Sequence, residues 1–179
     1  YISMQVAKYK DFFSGKRVTL MGLGLLGRGI GDARFLAECG AQVLVTDRKT
    51  KEELVSALTE LEGVVGITYA LGGHKEEDFT NTDMVIKAAG VPLDSPYIAA
   101  ARAAGVPVYM STALFVKFAT EAGAVVVGVT GTRGKSTTTH LIYHTLKQAG
   151  IRVHLGGNVR GLSTVAMLPE VEVGDTAVL

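Results

Sequence analysis

The residues best suited to chemistry lie in the run Gly128-Val129-Thr130-Gly131-Thr132-Arg133-Gly134-Lys135-Ser136-Thr137, directly after the apolar stretch Ala124–Val127. A glycine-rich turn that ends in a lysine and hydroxyls, between a strand and a helix, is built to hold a polyphosphate. Glycines let backbone N–H groups turn inward around phosphate oxygens, and Lys135 adds a positive charge. Ser136 or Thr137 offers a hydroxyl to Mg²⁺, and the new helix points its positive dipole end at the nucleotide. The strict spacing Gly-x-x-x-x-Gly-Lys-Ser/Thr would require glycine at position 129, where the chain carries Val129, and Gly131 supplies the extra glycine instead. Residues 131–138 are therefore the candidate site for a nucleoside triphosphate. An ordinary glycine-rich strand-to-helix turn is the alternative.

A second phosphate signature opens the chain. Met21-Gly22-Leu23-Gly24-Leu25-Leu26-Gly27 reads Gly-x-Gly-x-x-Gly, and Asp47 follows Gly27 by twenty residues. In a dinucleotide fold such glycines allow a tight turn and close phosphate approach, while the acid accepts a ribose hydroxyl. The alternative is a structural turn whose acid caps a loop. Gly29 and Gly31 lie further into the helix at about 1 kcal/mol each relative to alanine. Either close packing or ligand approach would justify them.

Both loops need strands before them and helices after them, and the pattern provides these. Short β-branched runs alternate with helical stretches: strand Arg17–Met21, helix Leu26–Cys39, strand Gln42–Thr46, helix Lys51–Leu61, strands near Gly66–Ala70 and at Met84–Lys87, helix Pro96–Ala104 and strand Val106–Tyr109. A helix around Ala113–Ala119 leads to a polar break at Thr120–Gly123. The phosphate-loop strand, the helix Lys135–Gln148 and the strand Arg152–Leu155 then begin a second series. This alternation predicts an α/β fold: a Rossmann-like parallel-sheet domain over residues 1–120, then the start of a P-loop α/β ATPase domain over 121–179.

Composition narrows the partners. With 179 residues, 47% hydrophobic and a net charge of +1, the chain can bury a real core and lacks the clustered basic charge of a nucleic-acid surface. Cys39 stands alone, so there is no internal disulfide, and a reduced cytoplasmic setting fits. No apolar run approaches the roughly 18 residues that a membrane span requires. The final residues, an acidic turn followed by the beginning of a buried strand, read as a fragment of something longer. His140 and His144 share a helix face, but no glutamate lies between them to complete a zinc motif, so a solvated face is expected. His74 and His154 are expected in turn and packing roles. Glu76–Asp78 should form the first turn of a short helix, where negative charge suits the dipole.

A dinucleotide-like domain followed by a P-loop is an uncommon order, and it resembles the Mur ligases. The residues that carry the resemblance are Gly22–Gly27, Val45–Arg48, Leu71–His74, Gly90–Pro96, Thr130–Thr137 and Gly156–Asn158, in the family's order over nearly the whole chain. The glycine-rich first domain narrows it to the members that join D-glutamate to UDP-N-acetylmuramoyl-L-alanine. The resemblance implies that Gly24, Leu25, Leu26 and Gly27 approach the substrate diphosphate and that Thr46, Asp47 and Arg48 line the uracil and ribose pocket. Asn158 would reach the diphosphate from the second domain. Gly131, Thr132, Arg133, Gly134, Lys135, Ser136, Thr137 and Thr138 would wrap the ATP phosphates, with Lys135 catalytic and Ser136 or Thr137 near Mg²⁺. It further implies amide formation through an acyl phosphate by a monomer that needs neither membrane nor nucleic acid.

The chain departs from the family pattern at Arg133 (usually asparagine), at Lys87-Ala88-Ala89-Gly90 (usually Ser-Pro-Gly or Asn-Pro-Gly), at Leu26 (often a hydroxyl residue) and at Met110–Phe115 (which lacks acids). The family's Glu-x-Ser-Ser segment, modified lysine and third domain would come later, so this stretch alone is expected to bind parts of its ligands without turnover. Two rivals are a dehydrogenase-type NAD domain fused to an unrelated P-loop and a non-catalytic nucleotide-binding module.

Overall fold

The computed structural model describes residues 2–23, 27–157, 159 and 161–179, with side chains from residue 8 onward. Five parallel strands form the first sheet: β1 (Arg17–Met21), β2 (Gln42–Asp47), β3 (Ile67–Leu71), β4 (Met84–Lys87) and β5 (Val108–Tyr109), in the order β3-β2-β1-β4-β5. β4 is buried at every position and β1 at all but its first. Strands covered on both faces read as apolar runs rather than as alternation, which is why the sequence favours parallel pairing here. The strand order reverses between β1 and β4, leaving a crevice beyond their carboxyl ends, where open α/β sheets bind ligands.

Helices α1 (Ile2–Phe13), α2 (Arg28–Glu38), α3 (Val55–Glu60), α4 (Glu77–Thr80), α5 (Pro96–Ala103) and α6 (Ser111–Glu121) flank this sheet. A second parallel sheet is built from β6 (Val125–Val127), β7 (Val153–Leu155) and β8 (Thr176–Val178), with β8 in the middle. Helix α7 (Lys135–Gln148) follows β6, and a 3₁₀ segment spans Val165–Glu170. A single apolar cluster runs from Phe13, Leu20 and Leu36 through Leu114 and Phe115 to Val165, Met167, Leu168 and Ala177, so both sheets share one core. A smaller cluster, including Phe79, Val85 and Ile98, lies apart from it.

Several elements differ from the sequence expectation. The predicted helix over Lys51–Leu61 is shorter: the Glu53 carboxylate accepts the Thr50 amide at 2.8 Å, and Lys51–Leu54 form turns. β5 has only two residues, because Pro107 has no N–H for a ladder bond, although its carbonyl accepts from Val85. α6 runs two residues into the expected polar break at Thr120–Gly123, helped by a Lys117–Glu121 ion pair at 2.5 Å and i,i+4 spacing, and ends there. Residue 121 is thus the last residue of a helix. Helix α1 was absent from the sequence reading. It docks through Tyr9 and Phe13, whose rings meet those of Phe35 and Phe118.

Candidate functional site

Each glycine loop leaves the carboxyl end of a parallel strand and enters a helix whose N-cap glycine is left-handed, Gly27 at φ 74° and Gly134 at φ 75°. Side chains rarely adopt this conformation, so the two loops share one backbone solution. Gly24, Leu25 and Leu26 lie outside the described residues, as does Asn158.

Asp47, at the end of β2, holds the first loop together. One carboxylate oxygen accepts the Leu23 amide and the other the Lys49 amide, both at 3.0 Å. The glycines that the sequence left ambiguous are explained by packing. A Cβ on Gly29 would sit 2.3 Å from the Leu23 carbonyl oxygen, and one on Gly31 would sit 2.6 Å from the Ser163 Cβ. α2 is therefore pressed against its own loop on one side and against the second sheet's segment on another.

The crevice beyond β1 and β4 has a volume of about 400 Å³, and Arg28, Asp32, Lys87, Gly157 and Thr164 are among its lining residues. Lys87 is only 6% exposed, and its ammonium donates to the Val91 carbonyl at 2.9 Å, closing the turn after β4. Asp32 is buried, which pushes its carboxyl above the usual range, while hydrogen bonds from Ser163 and Ser111 and the charge of Arg28 oppose that rise. Arg28 also reaches the Gly157 carbonyl at 3.5 Å, so the Gly156-Gly157 turn of the second sheet closes one wall of the crevice.

A wider cleft of about 850 Å³ lies beyond the β2 and β3 ends, bordered by Arg48, Gly73, His74, Pro92 and Tyr97. Arg48 is exposed there, whereas Thr46 is fully buried, and its hydroxyl meets His74 Nδ1 at 2.8 Å. Thr46 thus stands behind His74 rather than at the cleft surface. Phe79 and Tyr97 stack on each other at 5.2 Å, and the His74 ring packs edge-on against this pair, at centroid distances of 5.7 and 5.1 Å. Burial lowers its basicity. Asp47 and Asp78 act against that shift, and Arg48 adds to it.

In the second loop, Gly131, Thr132, Arg133, Gly134, Lys135, Ser136, Thr137 and Thr138 are all exposed. The Lys135 ammonium folds back onto the Gly131 carbonyl at 2.6 Å. Among the described residues, the Ser136 and Thr137 hydroxyls donate to no protein acceptor. His140 bonds to its own helix, at 2.7 Å from the Ser136 carbonyl, and does not pair with His144. His154 contacts Asp175 at 2.7 Å beside an Arg152–Glu172 pair, a packing role.

Sequence reasoning missed Arg28, Asp32, Lys87 and Ser163. Three left signals: a lysine ending an otherwise apolar strand, an aspartate on the apolar face of a helix, and an arginine directly after the glycine fingerprint.

Residues 16–110, more than half of the chain, match the family described as the Mur ligase MurD-like N-terminal domain. The chain belongs to this family. Among relatives of this MurD-like chain, UDP-N-acetylmuramoylalanine–D-glutamate ligase of Roseiflexus sp. (strain RS-1) is 38% identical over 166 residues, covering 93% of this chain and 34% of the relative. The enzyme of the same name from Anaeromyxobacter dehalogenans (strain 2CP-C) is 44% identical over 145 residues, covering 81% and 30%. The chain thus spans about a third of the length of the curated relatives it matches. In fold, it resembles the UDP-N-acetylmuramate:L-alanyl-gamma-D-glutamyl-meso-diaminopimelate ligase of Neisseria meningitides, with a TM-score of 0.51 at 19% identity over 90% of this chain and 52% of that one.

Proposed function

We propose that this MurD-like chain is the sugar-nucleotide-binding part, with the beginning of the ATP-binding part, of a cytoplasmic ligase that adds D-glutamate to UDP-N-acetylmuramoyl-L-alanine. The division falls at residue 121, with residues 1–120 holding the UDP-sugar and 121–179 opening the ATP site. The observation that carries the reading is the family match over the first sheet, in a chain whose second sheet presents a phosphate loop.

In this reading the crevice and the wider cleft form one binding track for the sugar nucleotide. Arg28 and Lys87 supply positive charge beside the diphosphate, and Arg48 borders the nucleoside end. At the second loop, the free hydroxyls of Ser136 and Thr137 suit a hard cation that keeps phosphate oxygens as its other ligands. Mg²⁺ bound there would offset the charge of the ATP phosphates. Lys135 leaves the Gly131 carbonyl to meet the transferring phosphoryl group and lowers the repulsion between it and the attacking substrate carboxylate. The carboxylate takes the γ-phosphoryl group as ADP leaves; the acyl phosphate so formed is a good acylating agent, and the amine of D-glutamate displaces phosphate from it to form the amide.

The test is phosphate release by the complete protein. Release from ATP that requires both UDP-N-acetylmuramoyl-L-alanine and D-glutamate supports the reading. Release indifferent to the amino acid contradicts it.

A further inference from the structure

We propose that His74 recognises the base of the bound nucleotide, its Nε2–H donating a hydrogen bond to a carbonyl oxygen of the pyrimidine ring. This rests on the sugar-nucleotide reading of the first sheet and adds to it the residue that reads the base. The curated relatives are named for a uridine nucleotide, and uracil differs from adenine in presenting carbonyl oxygens on a flat ring. The wider cleft has room for such a ring, with His74, Tyr97 and Arg48 on its border.

The tautomer follows from the partner behind the ring. Thr46 is fully buried, and its hydroxyl finds one partner among the described residues, His74 Nδ1 at 2.8 Å. If Nδ1 carried the proton, that hydroxyl hydrogen would be left buried without an acceptor, at the cost of desolvating a donor. Thr46 therefore donates, Nδ1 accepts, and the proton of the neutral ring sits on Nε2. Among the described residues Nε2 has no hydrogen-bond partner. The ring stays neutral because burial outweighs the facing carboxylates of Asp47 and Asp78, and Arg48 acts in the same direction as burial. Its orientation is fixed by the hydrogen bond to Thr46 and by edge-on packing against the stacked pair of the buried Phe79 and Tyr97. The result is a preset donor at the border of a nucleoside-sized cleft, and such a site loses affinity when the donor is removed.

Calorimetric titration of this chain with UDP tests the assignment, using wild type, His74→Leu and His74→Gln. Leucine removes the donor, and glutamine places an amide N–H near the Nε2 position. The inference expects UDP affinity to fall about fivefold in H74L and to recover to within roughly twofold of wild type in H74Q. The imidazole ¹⁵N spectrum of the wild type should show the Nε2–H tautomer, with the Nε2 resonance moving on addition of UDP. A structural role alone would not move it. Wild-type affinity in H74L, or a spectrum showing the Nδ1–H tautomer, overturns the role of His74 and leaves the sugar-nucleotide reading standing. Failure of the wild type to bind UDP overturns both.

Discussion

The Ser163 hydroxyl crosses the seam between the two sheets and donates a 2.6 Å hydrogen bond to the buried carboxylate of Asp32. Ser163 also accepts the Ala166 amide at 3.2 Å, so one side chain ties the start of the 3₁₀ segment to α2. Replacing Ser163 with alanine leaves a buried carboxyl oxygen without its donor. Unfolding in urea should then show a loss of about 2 kcal/mol. No loss would mean that the seam is held by packing alone.

Asp32 makes a pH prediction of unusual sign. Burial raises its carboxyl above the ordinary 3.8, so the folded chain keeps this proton at pH values where the unfolded chain has released it. Its contribution is fully present below the unfolded value and is lost as pH rises through the folded one. Asp32→Asn cannot titrate, so its stability relative to wild type should improve from pH 3 towards neutrality. A difference constant with pH would contradict the account.

Asp175 behaves in the opposite way. Burial alone would raise it, but His154, the Glu172 amide and Arg152 together hold it below the usual carboxylate range. Its contribution is present above the unfolded value and disappears as pH falls through the lowered one. Asp175→Asn should cost about 2 kcal/mol at neutral pH and progressively less in acid, measured by thermal unfolding across pH.

Gly29→Ala weighs two effects against each other. Alanine gains about 1 kcal/mol of helix propensity over glycine. Its Cβ, however, would lie 2.3 Å from the Leu23 carbonyl, which is backbone and cannot swing aside. The clash should win, with a net destabilisation of about 2 kcal/mol.

Lys135→Met in the complete protein separates catalysis from substrate binding. The ammonium is exposed and, among the described residues, bonds only to the Gly131 carbonyl, so the fold should tolerate the change. Turnover should fall by about three orders of magnitude, with the Kd for the UDP-sugar unchanged.

The central strands were legible because burial on both faces leaves apolar runs, as Val43–Val45 and Met84–Ile86 do. The two loops were legible because their glycines sit where the backbone must turn sharply. Helix α1 was not, since its aromatic residues gain meaning only against Phe35 and Phe118, which are distant in sequence. The seam escaped for the same reason: Asp32 and Ser163 are 131 residues apart. His74 read as a turn residue because its environment is made by Thr46, Phe79 and Tyr97, which come from three different elements.

The central claim is that the first sheet holds a UDP-sugar, and thermal-shift titration of this chain with UDP-N-acetylmuramoyl-L-alanine and NAD⁺ in parallel tests it most directly. A ligand at 100 times its Kd stabilises by about 2.7 kcal/mol, a readily visible rise in Tm. The account predicts that the UDP-sugar raises Tm and NAD⁺ does not. A rise with NAD⁺ alone would contradict it and favour a dehydrogenase-type domain.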